Sequence, residues 1–391
     1  MRIAIFSEVF LPKIDGITNR LRHTIDRLVE GGHEVRVFGP LHAQGSYRGV
    51  KVVQVPGLPL PLYPGLQITH PDPRVAWELF KFRPDVVHAV GPASLGVLGS
   101  ITARALGLPL VASYHTDLPA YLPRYLPRWG LGFAQPAIWP VIRAVHGLAH
   151  LNLCPSTVTR DELESHGIEP VGIWRGGVDT ERFRPKAASA TMRLRLTEEV
   201  RPDAVKALAV YVGRVGAEKG LDRLFELHDA IPGLHVAVVG DGPDRERLEK
   251  MARGRRFVFT GFLRGDDLAA AYASADLFFM PSTTETLGFV VLEAMSSGTP
   301  VVAARAGGPL DLIIDGENGL LYEPNDPAEA IRQVGKLLRN PSQRRHLGAQ
   351  GRKSAERRTW DEETRRLLGH YETAIDLASR GQDALHGDVR L

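Results

Sequence analysis

The 391-residue chain is 43% hydrophobic and 24% charged, with a formal net charge of +3. These proportions are those of a folded globular protein and argue against a disordered or collagen-like chain. Cys154 is the only cysteine, which excludes an intrachain disulfide, and no apolar run reaches the ~20 residues of a membrane span. We therefore expect two domains and a cytoplasmic location, at most on the cytoplasmic face of a membrane.

Strands and helices alternate from the first residues onward. In the helix after the first strand, Leu21, Ile25 and Leu28 recur at helical spacing, and Gly31-Gly32 ends it. Such alternation predicts a parallel sheet covered by helices on both faces. The predicted strands of this first series are 2–6, 34–38, 85–89 and 109–114, and the predicted helices are 18–30 and 93–106.

The alternation restarts after a predicted linker, 184–205. The second series has strands 206–212, 234–239, 257–260, 276–280 and 299–304, and helices 219–230, 243–252, 266–274 and 287–297. The sequence thus predicts an α/β protein with two doubly wound, Rossmann-like domains, 1–185 and 190–355, and helix 360–380 packed back on the first. Ligands of such sheets bind beyond the carboxyl ends of the strands, so we expect a substrate cleft between the domains.

The most informative stretch is 281–300, which holds two glutamates eight residues apart. Glu285 lies in a strand-to-helix turn, and Glu293 lies about two helical turns later, so both carboxylates can face one side. Gly288 opens the helix, where backbone N–H groups favour phosphate. Glu285 could instead be a cap and Glu293 a solvated surface residue, but the flanking small residues favour a ligand site.

Two cations follow the first strand of the second series. Arg214 comes directly after Gly213, and Lys219 directly precedes Gly220. Arginine can bind phosphate oxygens through two N–H groups, and lysine acts as a point charge. The pair therefore fits a diphosphate and would stabilise it without a metal ion. In isolation, each would be interpreted as a surface charge.

A polar run, 113–117, follows a strand of the first series. His115 within it could bond a transferred sugar or position the reacting centre, although a lone histidine is more often structural. Gly16 stands in the first loop and could let the backbone approach a phosphate. The G-x-G-x-x-G pattern of nicotinamide-binding domains does not occur, which disfavours a dehydrogenase.

Several motifs together resemble the retaining glycosyltransferases of family 4, which have the GT-B fold. A narrower similarity is to sulfolipid synthases, which transfer sulfoquinovose from its UDP form to diacylglycerol, and GDP-mannose-dependent mannosyltransferases share much of it. Asp117 and Gly176 stand where the sulfolipid enzymes often have histidine and lysine. The family resemblance rests on 213–220, 239–243, 260–263, 285–293 and 298–301, and the narrower one on 113–117, 121–125, 176–179 and 285–288.

The resemblance implies a catalytic group of four residues. Glu285 would hold the donor sugar, Arg214 and Lys219 would bind the diphosphate, and His115 would lie at the reacting sugar. The family retains the anomeric configuration, giving an α-linked product, and needs neither a bound metal nor another cofactor.

A second group would complete the donor site. Glu293 would bind the ribose, Phe262 and Leu263 would flank the base, and backbone amides would meet the diphosphate. The donor-binding residues implied in this way are Gly16, Phe262, Leu263, Thr286, Leu287, Gly288 and Glu293.

The acceptor and partners are less determined by the sequence. Residues 1–150 carry 15 Lys and Arg against 9 Asp and Glu, a net +6, and 119–150 mixes arginines with tryptophan, tyrosine and leucine. This pattern fits an anionic membrane surface and a lipid acceptor such as diacylglycerol, or equally an ordinary loop and core helix. A soluble acceptor, a nucleotide-sugar epimerase and a non-catalytic binder are the alternatives. We expect a nucleotide-sugar donor and no nucleic-acid partner, and leave the oligomeric state open.

Overall fold

The computed structural model describes residues 1–13, 15–59, 67–115, 138–199 and 205–387. Contacts divide the chain into two compact units, the first formed by Met1–Arg175 with Trp360–Leu391 and the second by Gly176–Thr359. The chain therefore passes from one unit to the other after Arg175 and again after Thr359.

The first unit is built on an eight-stranded sheet with the order β10-β9-β8-β7-β1-β2-β4-β3. Its described pairings are parallel except for the short β3, which runs antiparallel to β4. β5 pairs antiparallel with β6 in a separate two-stranded sheet. The strands are β1 (Arg2–Ser7), β2 (Glu34–Pro40), β3 (Ser46–Tyr47), β4 (Val50–Val55), β5 (Gly57–Pro59), β6 (Gln67–Thr69), β7 (Val86–Val90), β8 (Leu110–Ser113), β9 (Leu151–Cys154) and β10 (Val171–Ile173).

Helices cover both faces of this sheet. The Asp15 carboxylate caps the first helix by accepting the Thr18 N–H at 2.9 Å, which satisfies one of its unpaired donors. The helices are α1 (Gly16–Glu30), α2 (Pro73–Phe82), α3 (Ser94–Ala105), α4 (Ile138–His146), α5 (Thr157–Ser165) and the C-terminal helix (Trp360–Gly387).

The alternation of side chains along β1 divides the core of the first unit. Ile3 and Ile5 point to the face covered by α1 and the C-terminal helix, whereas Phe6 points to the face covered by α3. An ideal Cβ on Gly99 of α3 would lie 2.5 Å from the Phe6 ring, so only glycine lets α3 approach this closely. The C-terminal helix buries Leu367 in the same core as Ile3 and Ile5.

The second unit has a six-stranded sheet with the order β13-β12-β11-β14-β15-β16, and its described pairings are all parallel. The four central strands of this sheet are buried at every residue, as expected for a parallel sheet covered on both faces, whereas the edge strand β13 is mostly half-buried. The strands are β11 (Ala207–Val212), β12 (Leu234–Val239), β13 (Phe257–Gly261), β14 (Leu277–Met280), β15 (Val301–Ala304) and β16 (Leu320–Tyr322).

The helices of the second unit follow its strands, and several begin later than the sequence predicts. The predicted helix 219–230 begins only at Asp222, because Gly220 adopts a left-handed conformation (φ +64°) and leaves a separate 3₁₀ turn at Ala217–Lys219. The helices are α6 (Ala190–Arg195), α7 (Asp222–Ala230), α8 (Arg245–Ala252), α9 (Gly265–Ala273), α10 (Phe289–Ser296), α11 (Pro327–Arg339) and α12 (Pro341–Glu356).

The segment 184–205, predicted as a linker, contributes to the second unit's core through Met192 and Leu196, both buried there. The two doubly wound, Rossmann-like sheets of the prediction are confirmed. Among the described residues, no helix combines the length and apolar character needed to cross a bilayer.

In each sheet, one pair of neighbouring strands marks a reversal of the strand order. The helix after one strand of the pair leads toward one edge of the sheet, and the helix after the other leads toward the opposite edge. In the first unit these strands are β1 and β7, and in the second they are β11 and β14. A crevice opens at the carboxyl ends of such a pair, and ligands of doubly wound sheets bind there. The site residues predicted from the sequence can therefore be compared with these two positions.

Candidate functional site

In the second unit, the structure brings Lys219 and Glu285 together at the carboxyl ends of β11 and β14. The Lys219 ammonium donates to Glu285 Oε2 at 2.9 Å, and the two side chains are 11% and 19% exposed. Sequence reasoning placed both residues after strands, and the strand order makes those strands neighbours. The predicted cation and the predicted carboxylate therefore form one ion pair.

Backbone donors hold the other oxygen of the same carboxylate. Glu285 Oε1 accepts the Gly288 N–H at 3.1 Å, at the start of α10. Burial works to raise the pKa of Glu285, but the Lys219 ammonium and the N–H groups of Gly288 and Leu287 outweigh it. The pKa consequently lies below its usual value, and Glu285 is a carboxylate at neutral pH.

Two glycines that the sequence analysis did not single out fix the backbone of this turn. The Gly308 N–H donates to the Glu285 carbonyl at 2.7 Å. An ideal Cβ on Gly307 would lie 2.3 Å from that carbonyl oxygen, and one on Gly308 would lie 2.8 Å from the Leu287 nitrogen. The Gly-Gly pair after strand β15 was the available signal, because it permits this close approach.

Arg214 and Glu218 form a second, looser pair beside the first. Arg214 lies 3.8 Å from Glu218 Oε1, and its side chain is 40% exposed, whereas that of Glu218 is 6% exposed. The Tyr211 hydroxyl donates to the Arg214 carbonyl at 2.9 Å, which fixes the backbone after β11. The guanidinium is thus accessible to an anion at the same sheet edge as Lys219.

Glu293 has a different environment from Glu285. Its carboxylate accepts the Tyr272 hydroxyl at 2.9 Å. Burial raises the pKa of Glu293 to about 7, with the Tyr272 hydrogen bond opposing the shift. The two glutamates of the predicted pair therefore differ in protonation near neutral pH. Tyr272, which the sequence analysis did not identify, interacts electrostatically with both Glu285 and Glu293.

The remaining predicted donor-binding residues of this unit occupy the loops after β13 and β14. Phe262 directly follows β13 and is 67% exposed, whereas Leu263 is buried in the core. Thr286 and Leu287 are half-buried between Glu285 and the start of α10. Only Phe262 of the predicted base-flanking pair presents its side chain at the surface of this unit.

In the first unit, His115 lies two residues beyond β8 and contacts a buried arginine. Arg20 of α1 approaches His115 Nδ1 to 3.1 Å, and the Trp174 ring meets the imidazole edge at a centroid distance of 5.4 Å. Burial lowers the pKa of His115 well below its usual value, and the Arg20 charge lowers it further. His115 is therefore a neutral imidazole at physiological pH.

Arg20 was missed by the sequence analysis, although a signal existed. It precedes Thr24 by four residues and Leu28 by eight, which places a charged side chain on the buried stripe of α1. Gly16, the predicted close-approach residue, is the first residue of α1, and an ideal Cβ there would meet no atom within 4 Å. Packing within this unit therefore does not itself require glycine at position 16.

Within the ranges that the structure describes, no cluster of three or more His, Cys, Asp or Glu is arranged to hold a metal ion. Asp117 and the arginine-rich part of 119–150, up to residue 137, lie outside the described residues. At the carboxyl end of β11, the described residues include two positively charged side chains, Arg214 and Lys219, and Lys219 lies close to the backbone N–H groups that begin α10 through its contact with Glu285.

Two family models match the chain, one in each half. The model described as Glycosyltransferase Family 4 matches residues 14–182, and the model described as Glycosyl transferases group 1 matches residues 195–354. The second match contains the Lys219–Glu285 pair, Arg214, Phe262 and Glu293. The first contains Gly16, Arg20 and His115.

Curated relatives align with nearly the whole chain. Sulfoquinovosyl transferase SQD2 of Arabidopsis thaliana is 38% identical, over 96% of this chain and 74% of its own. A GDP-mannose-dependent alpha-mannosyltransferase of Mycolicibacterium smegmatis is 39% identical, over 96% of this chain and 98% of its own. An alpha-monoglucosyldiacylglycerol synthase of Acholeplasma laidlawii is 26% identical, over 87% and 89% respectively.

Solved structures support the fold. Sucrose-phosphate synthase from Thermosynechococcus elongatus superposes with a TM-score of 0.77 at 21% identity, covering 96% of this chain and 99% of its own. At this identity the similarity concerns architecture alone. The two Rossmann-like units are those of the GT-B fold, as predicted.

Proposed function

This chain belongs to the glycosyltransferases of family 4, and from that membership we propose that it is a retaining enzyme that moves a sugar from a UDP-sugar to a lipid acceptor such as diacylglycerol. UDP-sulfoquinovose is the first donor to test, because a sulfoquinovosyl transferase is among the relatives at 38% identity.

The observation that carries the proposal is the Lys219–Glu285 ion pair at the crevice between β11 and β14. A donor diphosphate offers Lys219 a stronger anionic partner than a single carboxylate. When Lys219 turns to the diphosphate, Glu285 becomes available to accept hydrogen bonds from hydroxyls of the donor sugar. The N–H groups at the start of α10 face the same place and favour negative charge.

In this proposal the leaving diphosphate is stabilised by protein groups. Lys219 and Arg214 supply two positive charges, and the amides of 286–288 supply oriented donors. Glu293 accepts ribose hydroxyls, Phe262 covers the base, and the reaction proceeds without a metal ion. The product is α-linked.

Relatives and surface chemistry support a lipid acceptor at a membrane. Two relatives, 26% and 27% identical, are named alpha-monoglucosyldiacylglycerol synthases. In the first unit, Trp77 and Phe80 stack on the outer face of α2 while 63% and 60% exposed, and Val141 on α4 is 58% exposed beside Arg143. Exposed aromatic residues with nearby cations suit the interface of an anionic bilayer. These features support the proposal that the enzyme acts at a membrane surface, and its position on the cytoplasmic face stays a prediction from the sequence.

A donor screen tests the transfer. Radiolabelled UDP-sulfoquinovose, UDP-glucose, UDP-galactose and GDP-mannose are each incubated with diacylglycerol vesicles, and label is measured in the extracted lipid. We expect lipid labelling from a UDP-sugar, lost in Glu285→Gln and retained in the matched surface variant Glu246→Gln, whose side chain is 82% exposed. Labelling of water-soluble acceptors alone would contradict the lipid part of the proposal. The coupling constant of the product's anomeric proton reports retention.

GDP-mannose is the second candidate donor, and two observations favour it. Three relatives between 35% and 39% identical are named GDP-mannose-dependent alpha-mannosyltransferases. In addition, an ideal Cβ on Gly176 would lie 2.1 Å from the Phe289 ring, so the lysine expected at this position in sulfolipid enzymes does not fit unless Phe289 moves. Labelling from GDP-mannose alone would select this candidate.

Vesicle sedimentation tests the membrane surface. We expect wild type to bind anionic vesicles more than neutral ones and to dissociate as salt screens the charges. Trp77→Ser/Phe80→Ser should weaken binding, whereas Val158→Ser, at a site 40% exposed on α5, should not. Equal partitioning to both vesicle types, unchanged by the double substitution, would contradict membrane association.

A further inference from the structure

Arg20 on α1 is a buried cation that none of the roles above uses. The residue is 3% exposed, and its guanidinium carbon lies 3.6 Å from the centroid of the Trp174 ring. Nη2 donates to the carbonyl oxygens of Trp174 and Arg175, the latter at 2.9 Å. Nη1 meets His115 Nδ1 at 3.1 Å. One side chain thus joins a helix, the predicted site histidine and the last two residues before the chain leaves the first unit.

The contact between Arg20 and His115 fixes where the imidazole carries its proton. A guanidinium has only N–H donors and cannot accept a hydrogen bond. His115 Nδ1 must therefore be the acceptor, and a neutral imidazole with an unprotonated Nδ1 carries its hydrogen on Nε2. In this tautomer, Nε2 offers an N–H donor to a ligand and cannot remove a proton from it.

The surroundings also hold the ring in place. Trp174 stacks under the guanidinium and packs against the edge of the imidazole, so Arg20, Trp174 and His115 form one contact group. The carbonyls of Trp174 and Arg175 both accept from Nη2, so each of the two terminal nitrogens of the guanidinium has a partner. A shift of Arg20 would therefore move His115 and release the backbone at Trp174–Arg175 together.

We propose that Arg20 is a positioning residue for the transfer reaction. It holds His115 as the Nε2–H tautomer and fixes the position of this N–H group relative to the carbonyls of Trp174 and Arg175. The inference rests on the proposed function only in taking the ligand of Nε2–H to be an oxygen of the donor sugar. His115 then acts as a hydrogen-bond donor to the sugar and not as a general base.

The charges around the pair are consistent with this arrangement. Burial lowers the pKa of Arg20 to about 9, opposed by the negative charge of Glu363 on the C-terminal helix and more weakly by Cys154 and Tyr371. The guanidinium therefore remains charged at neutral pH. His88, behind the pair, is kept neutral because burial and the Arg20 charge lower its pKa to about 3.

Nitrogen-15 NMR of the histidine side chains tests the tautomer directly in the wild-type protein. We expect His115, assigned by comparison with His115→Gln, to show a proton-bearing Nε2 and an unprotonated Nδ1 across neutral pH. A proton on Nδ1 would overturn the proposal. This measurement needs no substrate, so its outcome is independent of whether the transferase assay succeeds.

A double-mutant cycle tests the catalytic consequence. Arg20→Met should lower kcat/KM for the nucleotide-sugar about 10- to 100-fold, mainly through kcat. The reason is that a misplaced His115 Nε2–H group no longer meets the reacting sugar. In a His115→Gln background, the same substitution should have little further effect. Equal losses in both backgrounds would show a merely structural role and contradict the proposal.

Two controls complete the cycle. Arg27→Met removes an arginine from the same helix at a site paired with Glu30 and Asp361, and it should leave kcat/KM unchanged. Melting temperatures of all variants establish that they are folded. If Arg20→Met does not fold, the wild-type NMR result alone decides between the two tautomers.

Discussion

Each unit places a poorly exposed cation near the carboxyl ends of its parallel strands, but the partners differ. In the second unit, Lys219 pairs with the Glu285 carboxylate at 2.9 Å. In the first, the described hydrogen bonds of Arg20 all go to neutral acceptors, namely His115 Nδ1 and the carbonyls of Trp174 and Arg175. One cation has a charged partner that a ligand can replace, and the other is enclosed by the fold.

The difference separates two ways of using a buried positive charge. The Lys219 ammonium can exchange its single carboxylate partner for a more strongly charged diphosphate, so Lys219 suits ligand binding. A guanidinium held by backbone carbonyls and stacked on Trp174 has no such exchange available, so Arg20 suits the orientation of a neighbour. The four predictions below test the second unit's side of this contrast, from the largest expected effect to the smallest.

Removing the exchangeable cation should have the largest effect. Lys219→Ala should lower kcat/KM by roughly 10²–10³-fold, because the leaving diphosphate loses a fixed charge contact. The matched control is Lys250→Ala, at a surface site paired with Glu246 and 62% exposed, which should keep full activity. Steady-state kinetics over a range of donor concentrations give kcat/KM, and a near-normal value for Lys219→Ala would remove this residue from the donor site.

Arg214 should affect activity more than stability. Its side chain is 40% exposed and lies 3.8 Å from the buried Glu218, a distance too long for a direct hydrogen bond, so we expect this contact to contribute little to the free energy of unfolding. We expect Arg214→Ala to lower kcat/KM about 10²-fold while leaving the urea unfolding midpoint nearly unchanged. A variant with normal kinetics, or one whose loss of activity follows a loss of stability, would contradict this role.

Glu293 lies in the same unit as Glu285, but within the described part of the chain its carboxylate pairs with the Tyr272 hydroxyl and not with a cation, so we expect a different pH response. Because burial raises its pKa from 4.5 to about 7, its contribution to stability is complete below pH 4.5 and is lost as pH rises through about 7. Glu293→Gln should therefore flatten the decline in unfolding free energy over that interval. Urea denaturation at several pH values measures the free energy of unfolding, with Glu246→Gln as the control. If Glu293→Gln leaves the pH dependence of this free energy unchanged, the raised pKa is contradicted.

Chelation should have no effect. If Lys219, Arg214 and the backbone amides stabilise the diphosphate, excess EDTA leaves turnover unchanged. Activity that disappears with EDTA and returns with Mg²⁺ or Mn²⁺ would show that the fixed cations do not suffice. The same experiment on Lys219→Ala tests whether an added divalent cation can replace the missing charge.

Local sequence patterns determined the elements and most of the fold class. Apolar strands followed by helical spacing predicted the two sheets, because buried strands and amphipathic helices are selected by short-range periodicity. The site residues of the second unit could be partly predicted for the same reason, because Arg214, Lys219 and Glu285 each closely follow a recognisable strand. Their roles toward a donor remain predictions.

Tertiary structure alone decided which of these residues meet. Lys219 and Glu285 are 66 residues apart and pair because β11 and β14 are neighbours, a strand order that local periodicity does not encode. Arg20 and His115 are 95 residues apart, and a charged residue on an apolar stripe gives no indication of its partner. The sequence by itself determined the elements and the residues at their ends; packing decided the pairings, because contacts between distant segments depend on the whole fold.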